Sequence, residues 1–102
     1  MTKPNRYRNV TKAVSEKVDV NMQIQLWRIY DLLAAEREKD MDYLQVFDIK
    51  NADNKVIIIN EQEEPSLKKE LIFEQEMFDV NDTTIWIIEE FDKQTMLFPS
   101  DY

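Results

Sequence analysis

Glu74, Glu76, Asp79 and Asp82 fall within the ten residues FEQEMFDVND, with no basic side chain among them. Three chemistries call for carboxylates so close together: holding a divalent metal, working as an acid–base pair, and imitating the phosphates of a nucleic acid. A second local pattern, Asp48-Ile49-Lys50, has the acid-x-lysine form used by metal-dependent nucleases, in which carboxylates hold Mg²⁺ and a lysine steadies developing charge. Ser66 and Lys69 form the one serine–lysine spacing that could supply a nucleophile and its base. Each pattern is short enough to arise by chance, so the rest of the chain must decide among them.

The residues that are missing decide most of it. With no His and no Cys, the usual zinc, copper and iron ligands are gone, and so is the commonest general base near neutral pH. With no Gly, phosphate-cradling loops of the Walker or dinucleotide type cannot form, because they need positive-φ backbone in close contact with the ligand. A calcium loop fails as well, since DVNDTT lacks both the alternating oxygen ligands and the glycine. A serine triad with an elbow turn has neither its base nor its turn. A glycosidase would have carboxylates in plenty, but a sugar cleft is hard to build in 102 residues. The expectation is therefore a protein that is not an enzyme and carries no cofactor or metal.

Charge then points to a binding role. Residues 1–17 carry Lys3, Arg6, Arg8, Lys12 and Lys17 against Glu16, a net of +4. Residues 60–102 carry twelve acids against Lys68, Lys69 and Lys93, a net of −9, within a chain of net charge −8. Such a field repels nucleic acid and attracts basic surfaces, in a way that salt weakens. Direct nucleic-acid binding is thus disfavoured, and a basic groove of a nucleic-acid-binding protein becomes the expected partner. The candidate contact residues are Glu61, Glu63, Glu64, Glu74, Glu76, Asp79, Asp82, Glu89, Glu90 and Asp92. Alternate residues of a strand share a face about 6.6–6.8 Å apart, so Glu74 and Glu76 can begin a row of negative charge comparable with successive phosphates. The bland alternative is a solvated, solubilising surface.

The elements that must carry these side chains follow from periodicity. From Val20 to about Glu38, Met22, Leu26, Ile29, Tyr30 and Leu33 recur at three- and four-residue steps with Leu32 beside them, which predicts one α-helix with Asp19 as its N-cap. Val20, Ile24 and Trp27 lie nearly opposite. Either the N-terminal strand or a loop covers that second patch, or Trp27 is an exposed partner anchor. DYLQVFDIK, KVIIIN, LKKELIFE, TIWIIEEF and TMLFP read as strands, with a further strand near Tyr7–Val14. The connections KNADNK and DVNDTT use Asn and Asp where glycine is absent, and EFDKQ reads as the last hairpin turn.

The predicted fold is α+β: one main helix packed on a curled, mostly antiparallel sheet of five or six strands, as a single domain over residues 1–102. VIII at 56–59 and IWII at 85–88 are apolar on both faces, which a sheet with one wet face would not show. One helix cannot cover both faces, so curling, a terminal segment or a second subunit must cover the other, and a homodimer is among the expectations. Those apolar runs are four residues long where a membrane helix needs about 20, and the start MTKPNRYRNV has no secretory apolar stretch. The expected location is the cytoplasm of the cell that makes it, with no membrane partner.

IQLWRIYDLL, DYLQVFDI, VIIINEQEEPSLKKELIF and the ending TMLFPSDY together resemble a family of short proteins of unknown function from staphylococci, related low-GC Gram-positive bacteria and their phages. The resemblance covers roughly Tyr7 to Tyr102 and brings no reaction and no catalytic residues. It implies a genomic setting of phages and mobile elements, whose small proteins often bind and block host machinery. With the acidic second half, the leading expectation is an anti-CRISPR type of inhibitor, a nucleic-acid mimic that occupies the basic groove of a host defence nuclease. The other reading is a non-enzymatic adaptor or homodimeric module that uses Trp27 and its sheet edges.

Overall fold

A computed structural model describes residues 7–74 and 81–102. Strand β1 (Tyr7–Val10) leads through Thr11 into a short helix α1 (Lys12–Lys17), followed by the long helix α2 (Val20–Arg37). Strands β2 (Leu44–Ala52), β3 (Lys55–Gln62), β4 (Leu67–Glu74), β5 (Thr83–Glu90) and β6 (Lys93–Leu97) complete the chain, with a final 3₁₀ turn at Pro99–Asp101. The six strands form one sheet in the order β1-β6-β5-β2-β3-β4, in which β1 and β4 are edges, so the sheet is not closed. All pairings are antiparallel except β1 with β6, which is parallel.

The predicted helix is present, and its stripe of Met22, Leu26, Ile29, Tyr30 and Leu33 is buried. These side chains pack on one face of the sheet, against Phe47, Ile49, Val56, Ile58, Ile85, Ile87 and Met96. Two local readings need correction, and a third, the N-cap, holds in position without the side-chain bond. Leu32 is 50% exposed and lies off the stripe, because two adjacent helical residues are about 100° apart and the buried sector is already filled. Asp19 occupies the N-cap position without a side-chain cap; its carbonyl accepts from the Gln23 N–H at 3.0 Å. The strand expected over Tyr7–Val14 ends at Val10, and the remainder is helix α1. There the Thr11 hydroxyl accepts from the Val14 N–H at 3.3 Å, satisfying one of the orphan donors of a helix start.

Turns without glycine are made as anticipated in one hairpin. Asp53 and Asn54, at φ 51° and 62°, form the two-residue connection between Ala52 and Lys55, the positive-φ pair that matches strand twist. In the β5–β6 hairpin, Phe91 takes φ 56°. No helix among the described residues is long and apolar enough to cross a membrane.

Candidate functional site

Strand register sorts the acidic residues into two groups at opposite ends of the sheet. Leu44 pairs with Ile88 and Val46 with Glu61, so the start of β2 lies between the ends of β5 and β3. Glu61, Glu63 and Glu64 therefore gather at one corner of this end and Glu89, Glu90 and Asp92 at another, about two strand spacings or ~10 Å apart. Glu61, Glu63, Glu64, Glu90 and Asp92 are exposed, and none of the five forms an ion pair among the described residues.

Glu89 belongs to the scaffold. It is half-buried and accepts from the Tyr30 hydroxyl at 3.0 Å, while its backbone N–H donates to the Tyr43 carbonyl at 2.9 Å.

At the far end of the sheet, about 20 Å away at ~3.3 Å per residue along β3, lie Glu74 and Asp82. Each has a local partner. Lys55 Nζ is 2.6 Å from Glu74 Oε1, and Asp82 Oδ1 accepts from the Asn51 N–H at 2.8 Å and from Asn51 Nδ2 at 3.2 Å. Glu76 and Asp79 lie outside the described residues. Phe73 packs against the core while Glu74 is exposed. The eight described candidate acids thus do not make one continuous row.

The acidic end gains members that sequence reasoning passed over. The α2–β2 connection brings Glu38, Asp40 and Asp42 to the same end. The Asp42 carboxylate accepts from the Tyr43 N–H at 2.8 Å and from the Glu64 N–H at 3.1 Å. The available signal was the alternation of acids in EREKDMDY, directly before the first strand of the hairpin.

Gln62, only 5% exposed, organises this end. Its Oε1 accepts from Arg37 Nη1 at 2.9 Å, Gln45 Nε2 at 2.8 Å and the Asp42 N–H at 3.2 Å. Its Nε2 donates to the carbonyls of Asp40 at 2.8 Å and Pro65 at 2.9 Å. One amide therefore ties the helix end, the α2–β2 connection and the turn bearing Glu63 and Glu64 to the sheet. Gln45 and Asn60, both fully buried, extend the network through an Asn60 Nδ2 to Gln45 Oε1 bond of 3.0 Å. Burial pushes the Arg37 guanidinium below its ordinary pKa, and neighbouring Glu36 pushes it back up. Asn60 Oδ1 is buried without a partner among the described residues, whereas the fully bonded Gln62 amide rigidifies the backbone it ties together.

Trp27 is elsewhere, on the helix layer. It is half-buried, edge-on to Tyr30 with ring centroids 6.1 Å apart. The Arg8 guanidinium of β1 stands 4.7 Å from its ring centroid and also donates to Gln94 Oε1 at 2.8 Å and to the Asp31 carboxylate. The N-terminal strand thus supplies part of the cover weighed for this patch, while Val20 and Ile24 remain 60% and 45% exposed.

Two members of the short catalytic patterns have other partners. Lys69 Nζ meets Glu36 at 3.1 Å, and Asp48 Oδ1 accepts from the Thr84 hydroxyl at 2.6 Å. A groove of about 510 Å³ at the end opposite the acidic corners includes Lys17, Asp82, Thr83 and Ser100 in its lining. Its one carboxylate among the described residues is the Asn51-bound Asp82. The acidic end, by contrast, can offer a basic surface several exposed charges on a stiff frame.

A family model described as a staphylococcal protein of unknown function (DUF960) matches residues 5–101. No curated protein matches the chain. Among solved structures, a crystal structure of a protein of unknown function from Enterococcus faecalis is similar with a TM-score of 0.78, covering 98% of this chain and 93% of that one. At 19% identity the likeness is one of fold.

Proposed function

We propose, for a chain that belongs to the staphylococcal DUF960 family of proteins of unknown function, a non-enzymatic binding role in which the acidic end of the sheet engages a basic surface. In its specific form the protein is encoded by a phage or mobile element and acts in the bacterial cytoplasm. It occupies the basic nucleic-acid groove of a host defence nuclease, such as a CRISPR effector, and blocks it.

The observation that carries this reading is the set Glu61, Glu63, Glu64, Glu90 and Asp92, exposed and without an ion pair among the described residues. Unpaired carboxylates on a rigid frame present their charge to a partner at little ordering cost, and complementary fields accelerate docking. Glu74 and Asp82, engaged with Lys55 and Asn51, contribute less.

The test is target cleavage by basic-channel nucleases of a staphylococcal host in the presence of stoichiometric protein. Wild type is expected to stop cutting. The variant Glu63→Lys/Glu64→Lys/Glu90→Lys/Asp92→Lys should need about tenfold or more protein for the same block. A reversed variant that inhibits as well as wild type would sink the acidic-end mechanism.

A further inference from the structure

The sheet face turned away from the helices carries residues that match a second copy of themselves. On β2, β3 and β4 this face carries Val46, Ile57, Ile59 and Ile72, none of which packs against the core. Ile72 is 60% exposed and the other three are half-buried. The C-terminus covers the neighbouring strand of this face, where Tyr102 stands edge-on, at 5.9 Å, to Trp86, the cross-strand partner of Val46. Strands apolar on both faces belong to sheets covered on both faces, so this half of the sheet calls for an occupant.

Charge identifies it. The three strands hold Lys50, Lys55 and Lys68 against Asp48, Glu61, Glu70 and Glu74 on this face, a net of −1 in a chain of −8. A surface meant for a basic partner would share the acidity of the whole. Register shows how the two signs are laid out. Ile49, Ile58 and Leu71 lie side by side across β2, β3 and β4. Rotating the sheet by a half-turn about that line lays a second copy face to face, with its strands running the opposite way.

Lys55 then meets Glu61 of the second copy, Lys50 meets Asp48 and Lys68 meets Glu74, each contact occurring twice, while Glu70 meets Ile72. Ile57 meets Ile59 between them. A half-turn about an axis along β3 would instead set Lys55 over Lys55 and Glu61 over Glu61. Packed sheets cross at about 30°, which offsets the strand ends by roughly one strand spacing of ~4.8 Å, within reach of Lys and Glu side chains.

We propose that two copies of this chain associate through the outer faces of β2, β3 and β4, antiparallel, about a two-fold axis at the level of Ile58. The closed, isologous contact buries Ile57 and Ile59 at its centre and ringed charge pairs at its rim. The dimer shares Glu61 with the binding role above, whereas Glu63, Glu64, Glu90 and Asp92 take no part in it.

Light scattering on the full chain at high micromolar concentration should give twice the monomer mass of 12.3 kDa. Lys55→Glu and Glu61→Lys each set like charges together twice, and each should raise the dissociation constant about tenfold or more. Mixed in equal amounts, the two variants restore both opposite-charge contacts in the heterodimer and should recover the wild-type constant. Lys68→Glu with Glu74→Lys repeats the exchange on the edge strand, and circular dichroism reports whether each variant is folded. A wild-type mass of one chain, or mixtures no tighter than the separate variants, would overturn the proposal. Nuclease inhibition by monomeric wild type would leave the binding role standing while removing the dimer.

Discussion

Phe91 bears the cost of building a hairpin without glycine. It sits at φ 56° and is 97% exposed, a left-handed conformation that crowds Cβ against the next carbonyl and costs roughly 1–2 kcal/mol for an ordinary residue. Phe91→Gly should therefore raise stability by up to about 1 kcal/mol, read as a higher melting temperature. Gln62 predicts the opposite. Its Oε1 receives Arg37, Gln45 and the Asp42 N–H, so Gln62→Leu leaves several buried donors without an acceptor. The expected loss is about 2–3 kcal/mol in chemical denaturation. A double-mutant cycle with Arg37→Leu should show coupling, because the two side chains share one network. Nothing in the sequence marked Gln62 above the other glutamines, since a strand pattern shows that a position faces inward but not what meets it there.

At the level of elements, periodicity was sufficient where one face of an element is buried. Met22, Leu26, Ile29, Tyr30 and Leu33 followed the helical spacing into the core, whereas Leu32, adjacent in sequence, turned outward. Leu26→Ala should accordingly cost about 2–5 kcal/mol, and Leu32→Ala should stay within about 0.5 kcal/mol of wild type, both measured by urea unfolding. The strand expected over Tyr7–Val14 became strand and helix because Thr11 caps a turn, a choice local propensity leaves open. Its parallel partner β6 lies 86 positions along the chain at the Arg8–Gln94 pair. No local pattern announces a contact of that range.

For the molecule as a whole, the distribution of charge carries the predictions. A docking surface of exposed carboxylates is screened beyond about 8 Å at physiological ionic strength. Inhibition of a basic-channel nuclease should therefore weaken steadily as salt is raised, in a titration of the concentration needed for half-block. The self-association proposed for the outer sheet face has an apolar centre of Ile57 and Ile59, so raising salt should weaken it less than it weakens the nuclease block.

Composition and spacing by themselves determined the helix, the five strands after it, the Asn and Asp turn and the acidity of the second half, because those depend on residue type and short-range period. Tertiary structure alone decided that Glu74 and Asp82 of FEQEMFDVND and the acids near Glu63 belong to different places. Glu74 and Asp82 lie at one end of the sheet and Glu61, Glu63, Glu64, Glu90 and Asp92 at the other. It also decided that one apolar face stays open among the described residues. The reason is that antiparallel pairing reverses the chain at every turn, so neighbours in sequence part and residues some thirty positions apart become neighbours in space.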